Sequence, residues 1–320
     1  MVQVPTVLGP VDSGALGAVL MHEHVFVLSP EFETNYPWHT GFEEQRDVDE
    51  ASARLEELAA EGIDTIVDLT VVGLGRDVAR IQRVNERTRL QIVVATGLYT
   101  FTELPIYLRS RSAQRDAADV MAELFVHDLE EGIADTGVRA GILKCATDRQ
   151  GVTPDVEHVL RAVARAHRST GAPISTHTHA PSRRGLEQQD VFASEGVDLT
   201  RVVIGHSGDT TDLDYLEAVL DRGSYLGMDR FGLEHILPFE ERVATVVALC
   251  ERGWASRLVL SHDTACCIDW LDPAHRRPPC YRHISKDVLP ALRDAGVTDD
   301  DIEQMLVLNP RRIFEHPGPY

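Results

Sequence analysis

The chain has 320 residues, 43% of them hydrophobic and 26% charged, with a formal net charge of −20. That length suits one large domain with a full core and no need of disulfides or structural metal. The acidic balance leaves no basic footprint for nucleic acid or an anionic membrane surface, and no apolar run approaches the roughly 20 residues of a membrane-spanning helix.

In chain order, the first 17 residues show neither the basic nor the apolar segment of a signal peptide, so a cytoplasmic protein is expected. An apolar run follows at 17–24 and ends in His22-Glu23-His24. A helix is predicted over 51–62, closed by Gly62, and apolar runs return at 64–70 and 91–99. A helical pattern at 116–137 leads to the run at 140–146, and another at 155–171 to the run at 172–179. The run at 201–206, a helix at 212–223, the run at 225–230, a helix at 239–253 and the run at 257–263 complete the series.

The eight runs are nearly continuous in Val, Ile, Leu and Ala, as parallel strands buried on both faces require. Eight of them alternating with helices predict a (β/α)8 TIM barrel over residues 1–320, as one domain. No GxGxxG follows the first run, which leaves a dinucleotide-binding sheet without support. The stretch 264–285 lacks periodicity and is expected to be a long active-site loop acting as a lid. The five cysteines (Cys145, Cys250, Cys266, Cys267 and Cys280) are odd in number and contain no CxxC, so reduced thiols are expected rather than a zinc ribbon.

Polar residues collect where barrel enzymes keep their chemistry, at the C-terminal ends of the runs. His22 and His24, two apart on a strand, share a face and can reach one metal, although a hydrogen-bonded pair would look the same. Lys144 interrupts an apolar run, where an unpaired ammonium is costly. It either snorkels or pairs with a carboxylate, or it carries a carbamate able to bridge two cations. His177, His179, His206 and the pair His262-Asp263 end three further runs. Histidine or lysine at the ends of four runs, with an aspartate closing the eighth, makes a mixed nitrogen and oxygen set suited to divalent metals.

In order along the chain, the segments MHEHVF, ATGLYTFTELP, GILKCATD, ISTHTHA, VVIGHSGDTTD, LGMDRFG, LSHD and LNPRRIF resemble the phosphotriesterase-like lactonases of the amidohydrolase superfamily. The resemblance implies that His22, His24 and Asp263 hold a buried metal and His177 and His206 a more exposed one. Lys144, as N6-carboxylysine, would bridge the two, and His179 is not a ligand in that pattern. The metals implied are divalent, zinc first, with cobalt, iron or manganese as alternatives. Asp263 would accept the proton, and Asp209 and Arg230 would extend a relay beside the substrate. Tyr99 would orient a lactone ring where phosphotriesterases proper carry tryptophan, and Cys266, Cys267, Ile268 and Trp270 would wall an apolar channel.

The implied function is opening of lactones, N-acyl-homoserine lactones above all (quorum quenching), with weaker hydrolysis of organophosphate triesters, by a homodimer acting on small molecules. The alternatives are a dedicated phosphotriesterase (aryldialkylphosphatase) or another ester or amide hydrolase, and a barrel that binds without catalysing.

Overall fold

Each apolar run becomes a strand, and most strands stop a few residues before the run does. The structure, a computed structural model, describes residues 2–112, 115–271, 281–315 and 318–320. The strands are β1 (Val19–Glu23), β2 (Thr65–Asp68), β3 (Gln91–Gly97), β4 (Ile142–Ala146), β5 (Ile174–His177), β6 (Val202–Ile204), β7 (Tyr225–Met228) and β8 (Leu258–Leu260). They form one eight-stranded sheet in sequence order, every ladder parallel. The described residues show no backbone ladder between β8 and β1, and that seam is bridged at its C-terminal end. Ser261 Oγ accepts from His22 N at 2.9 Å, and Asp263 N donates to His22 O at 3.1 Å. The expected (β/α)8 barrel is present.

Alternation along the strands separates two apolar cores. Val19, Val67, Val93, Ile142, Val203 and Val259 pack together inside the barrel. Leu20, Ile66, Ile92, Leu143, Ile174, Ile204 and Leu258 pack outward against the helices. This is the two-residue period of a strand read on a curved, two-sided sheet.

The helices between strands begin where capping chemistry allows. Glu44–Ala60 starts seven residues before the apolar pattern suggested, because the Asp47 carboxylate reaches back to accept from Glu43 N at 2.6 Å. Pro154–Thr170 opens on the Thr153 cap with proline in its first turn, and Gly171 closes it in the left-handed conformation. The predicted helix at 116–137 ends at Glu130, before Gly132 at φ 134°, so Gly137 is not its cap. Helices at Val78–Asn85 and Arg184–Ser194, which the sequence reading passed over, follow β2 and β5 in turn. No described helix is long and apolar enough to cross a membrane.

The expected long loop is ordered at its start. Cys267–Ile268 forms a short parallel ladder with Phe26–Val27, supported by Cys266 N to Val25 O at 3.0 Å and Asp269 N to Val27 O at 3.1 Å. Residues 272–280 of that expectation, Cys280 among them, lie outside the described residues. Beyond them the chain turns into a helical segment from Ile284.

Candidate active site

The HxH motif faces the barrel interior because β1 is irregular. Val19 and Met21 belong to the interior core, so strict alternation would aim Glu23 inward and His22 outward. The β1–β2 register slips between Leu20 and Glu23, placing one extra residue on β1. A bulge of this kind reverses the phase of the side chains that follow it. His22 and His24 therefore reach the cavity, and Glu23 turns away from it.

Around this pair, the strand ends deliver the other candidates. Lys144 Nζ lies 3.1 Å from His22 Nε2 and 3.2 Å from the Thr176 carbonyl. Asp263 Oδ1 lies 3.4 Å from His22 Nε2 and 3.2 Å from His24 Nε2. His206 Nε2 is 2.9 Å from His177 Nδ1 and 3.7 Å from Asp263 Oδ2. Two glycines make room for this convergence. A Cβ on Gly205 would lie 1.9 Å from the Thr176 carbonyl, and one on Gly227 would lie 2.3 Å from Asp229 Oδ2.

Asp229 is the residue that reading the sequence missed. It is buried, and its two oxygens serve two histidines from different strands. Oδ2 meets His22 Nδ1 at 2.9 Å, while Oδ1 meets both His206 Nδ1 at 2.9 Å and His206 N at 2.8 Å. His24 Nδ1 is held likewise by Thr70 Oγ1 at 2.8 Å. With each Nδ1 so engaged, the Nε2 lone pairs of all three rings turn inward, the arrangement by which a carboxylate or hydroxyl orients metal-ligating imidazoles. The sequence carried one signal, the polar residue Asp229 at the end of β7, but Arg230 beside it drew the attention.

The electrostatics match the geometry. Burial pushes His22, His177 and His206 well below the ordinary imidazole value, which keeps them neutral. Burial also lowers Lys144 to about 8. Burial, then repulsion from Asp263, pushes the Asp229 carboxyl well above its usual value, while Arg230 and Lys144 pull it down. For Asp263 burial acts upward, but His206, Arg230 and His22 outweigh it and hold the carboxyl well below the usual range. A divalent metal fits this donor set. Imidazole nitrogens and a carboxylate oxygen converge within 4.8 Å at His22, His24 and Asp263. Such atoms have nothing to donate to one another but suit a borderline cation. His22, His206 and Asp229 form a second close group. There the contacts run through Nδ1, so Asp229 is an orienting partner and not a ligand.

Arg230 joins Asp263 to Asp209, donating from Nε to Asp263 Oδ2 at 2.8 Å and from Nη1 to Asp209 Oδ2 at 2.9 Å. The buried Arg242 lies 2.8 Å from the other Asp209 oxygen. This brings together the residues expected to form a relay and also corrects their role. A guanidinium does not give up its proton at any working pH, and the two carboxylates raise the pKa of Arg230 further despite its burial. Arg230 thus orients Asp263 and balances its charge, and it does not itself relay a proton.

Above the polar floor opens a cavity of about 740 Å³. Tyr99 enters it with its ring edge-on to His177, centroids 5.4 Å apart, and its hydroxyl 3.4 Å from His177 Nδ1. Burial, aided by the Asp263 charge, raises the pKa of this phenol, so it remains a donor. Ile268 and Trp270 line the cavity as expected, joined by Phe231, Leu233 and Leu271. Cys266 and Cys267 do not. Alternation in the short ladder buries Cys267 in the outer core, and Cys266 packs against the same core with Sγ 3.2 Å from Tyr281 Oη. His179 lies past the end of β5, bound to Ser182 and to Arg149 Nε, and so does not share a strand face with His177.

The sequence profile of the phosphotriesterase family matches residues 2–314. A phosphotriesterase homology protein of Mycobacterium tuberculosis is 57% identical over 327 residues, covering all of both chains. An aryldialkylphosphatase of Saccharolobus solfataricus is 37% identical over 310 residues, 95% of this chain and 96% of that one. An N-acetyltaurine hydrolase of Dictyostelium discoideum is 28% identical over 279 residues, 82% of this chain and 72% of that one. The solved structure of the phosphotriesterase from Mycobacterium tuberculosis has a TM-score of 0.94 at 56% identity and full coverage of both chains.

Proposed function

Because this chain belongs to the phosphotriesterase family of hydrolases, we propose that it opens lactones bearing an apolar tail, N-acyl-homoserine lactones first, and hydrolyses organophosphate triesters more slowly. In this reading His22, His24 and Asp263 hold one divalent cation, zinc first, and His177 and His206 hold another. Lys144 lies between them as a carbamate. Carbamylation needs a neutral amine, and a Lys144 pKa lowered to about 8 by burial supplies one near neutrality. The amine nitrogen adds to the carbon of carbon dioxide, a proton leaves, and an anion results. When bound, the two cations supply charge stabilisation for a carbonyl or phosphoryl oxygen and make water nucleophilic at neutral pH.

The chain's own groups do the rest. Asp263, kept ionised by Arg230, accepts the proton of the attacking water. Tyr99, kept protonated, donates a hydrogen bond to the ring oxygen or carbonyl of the lactone. Ile268, Trp270, Leu233 and Leu271 exclude water from the tail. The placement of the Tyr99 hydroxyl 3.4 Å from His177 Nδ1, beneath that apolar wall, carries the reading. The homodimer and the cytoplasmic location belong to the same proposal and rest on family resemblance and on the sequence.

The 37% identity to an aryldialkylphosphatase favours a second reading, a dedicated phosphotriesterase. One experiment separates the two. Steady-state kinetics on a long-chain acyl-homoserine lactone and on an aryl dialkyl phosphate should give a kcat/KM ratio of at least about tenfold for the lactone, or about 1.4 kcal/mol. Equal or reversed values move the protein to the second reading. N-acetyltaurine belongs in the same panel because of the Dictyostelium relative.

A further inference from the structure

The bulge that turns His22 and His24 into the cavity leaves Glu23 between them facing the barrel seam. There its side chain is fully buried, and its hydrogen-bond partners among the described residues lie in the segment just after β8. Glu23 Oε1 accepts from Ser261 Oγ at 2.8 Å, His262 N at 2.8 Å and His262 Nδ1 at 2.7 Å. Oε2 accepts from Thr264 N at 3.1 Å. The residue skipped by this grip is Asp263, which stands between two clamped neighbours with a left-handed backbone at φ 54°. Aspartate enters that region more readily than most residues, but at an energetic cost that its surroundings have to offset. Asp263 N completes the arrangement by donating to His22 O at 3.1 Å, on the residue before Glu23. His262 passes the hold outward, since its Nε2 accepts from Ile284 N at 2.9 Å, on the far side of the long loop.

We propose that Glu23 is the positioning residue for Asp263: by clamping His262 and Thr264 it holds the intervening backbone left-handed and so sets the Asp263 carboxylate between His22 and His24. The inference rests on the reading of Asp263 as metal ligand and proton acceptor. It adds a residue that acts only through Asp263. A carboxylate suits this task because it accepts four hydrogen bonds and donates none. An amide in its place keeps the shape but turns an NH2 group toward at least one N–H, leaving a buried donor without an acceptor.

The test compares Glu23→Gln, Asp263→Asn and the double variant, each confirmed as folded by circular dichroism and assayed well below its Tm. Bound metal is measured by elemental analysis after dialysis against a graded chelator series. For Glu23→Gln, kcat should fall at least about tenfold, with KM for the lactone changed by less than about threefold. Metal should be lost at a chelator concentration about 10- to 100-fold lower than for the parent. On the Asp263→Asn background the same change should cost less than about threefold, because neighbours that share one function are not additive. Parent-like kcat and metal retention, or equal losses on both backgrounds, would overturn the proposal and leave Glu23 as a clamp of the barrel seam. If Glu23→Gln does not fold, His262→Gln takes its place, since it removes one donor to Glu23 while its amide can still accept from Ile284 N. The same split between kcat and KM is then expected, and its absence overturns the proposal. An Asp263→Asn variant with parent-like kcat and metal would sink the parent reading together with this one, whereas loss there with none at Glu23 sinks only this one.

Discussion

The floor and the wall of the cavity are built by different means. The floor consists of His22, His24, Lys144, His177, His206 and Asp263 at or just beyond strand ends, mostly buried and held by partners such as Asp229, Thr70 and Arg230. The wall consists of Ile268, Trp270, Leu271 and Leu233 on the connections after β8 and β7, with Trp270 and Leu271 about half exposed. Groups on a floor of this kind move together or not at all, while the wall can change shape one side chain at a time. Chemistry common to every substrate belongs to the floor and choice among substrates to the wall, the usual division between barrel strands and barrel loops.

Replacing Lys144 by Ala should break the floor most severely. We expect metal content to fall and kcat/KM to drop at least about 10³-fold, or about 4 kcal/mol, for lactone and phosphotriester alike. Short carboxylic acids added with metal should restore part of it. Full activity without rescue would remove Lys144 from the floor.

A smaller effect, still shared by both substrates, is expected for Asp229→Asn. Its amide can accept from one histidine Nδ1–H but not from both, so the His22 or the His206 ring loses its orientation. A 10- to 100-fold loss of metal affinity or activity is the usual scale for such an outer partner. Elemental analysis and kcat/KM on two substrates measure it, and an unchanged variant would mean that strand packing alone orients the two rings.

Trp270→Ala should have the smallest effect and the most selective. Truncating a half-exposed side chain of the wall should raise KM for a long-chain lactone by several-fold and leave a short-chain lactone within about twofold, since one methylene of apolar contact is worth only about 1–3 kcal/mol even when well enclosed. Equal losses on both chain lengths would contradict the separation of floor from wall.

Much of the floor is readable in the linear chain. Apolar runs of strand length announce the eight strands, and a polar residue closing an apolar run is conspicuous because burial makes it costly. His22, Lys144, His177, His206 and Asp263 all stand out on that ground. The wall reads less well. Ile268 and Trp270 were found, but Cys266 and Cys267 were taken for their neighbours, because nothing local shows that the segment pairs with Phe26–Val27 and so turns both cysteines to the core. Helix boundaries failed for a related reason. The Asp47 carboxylate that starts one helix early and the turn at Gly132 that ends another are backbone events outside the apolar period.

The sequence by itself determined the strand count, their parallel order and the chemical kinds of group at their ends, because hydrophobic period and burial cost are local properties of the chain. Tertiary structure alone decided which way those groups face and what holds them. The slip between Leu20 and Glu23 is a matter of register between two strands, and it sends the histidines inward and the glutamate to the seam. Asp229 meets His22 only once the sheet has curled until β7 stands near β1, and Glu23 grips Ser261, His262 and Thr264 only where β8 closes on β1. These contacts join residues more than 200 positions apart at the ends of the barrel, as His22 to Asp229 and Glu23 to His262 do. No periodicity along the chain encodes such a distance, and only closure of the barrel creates it.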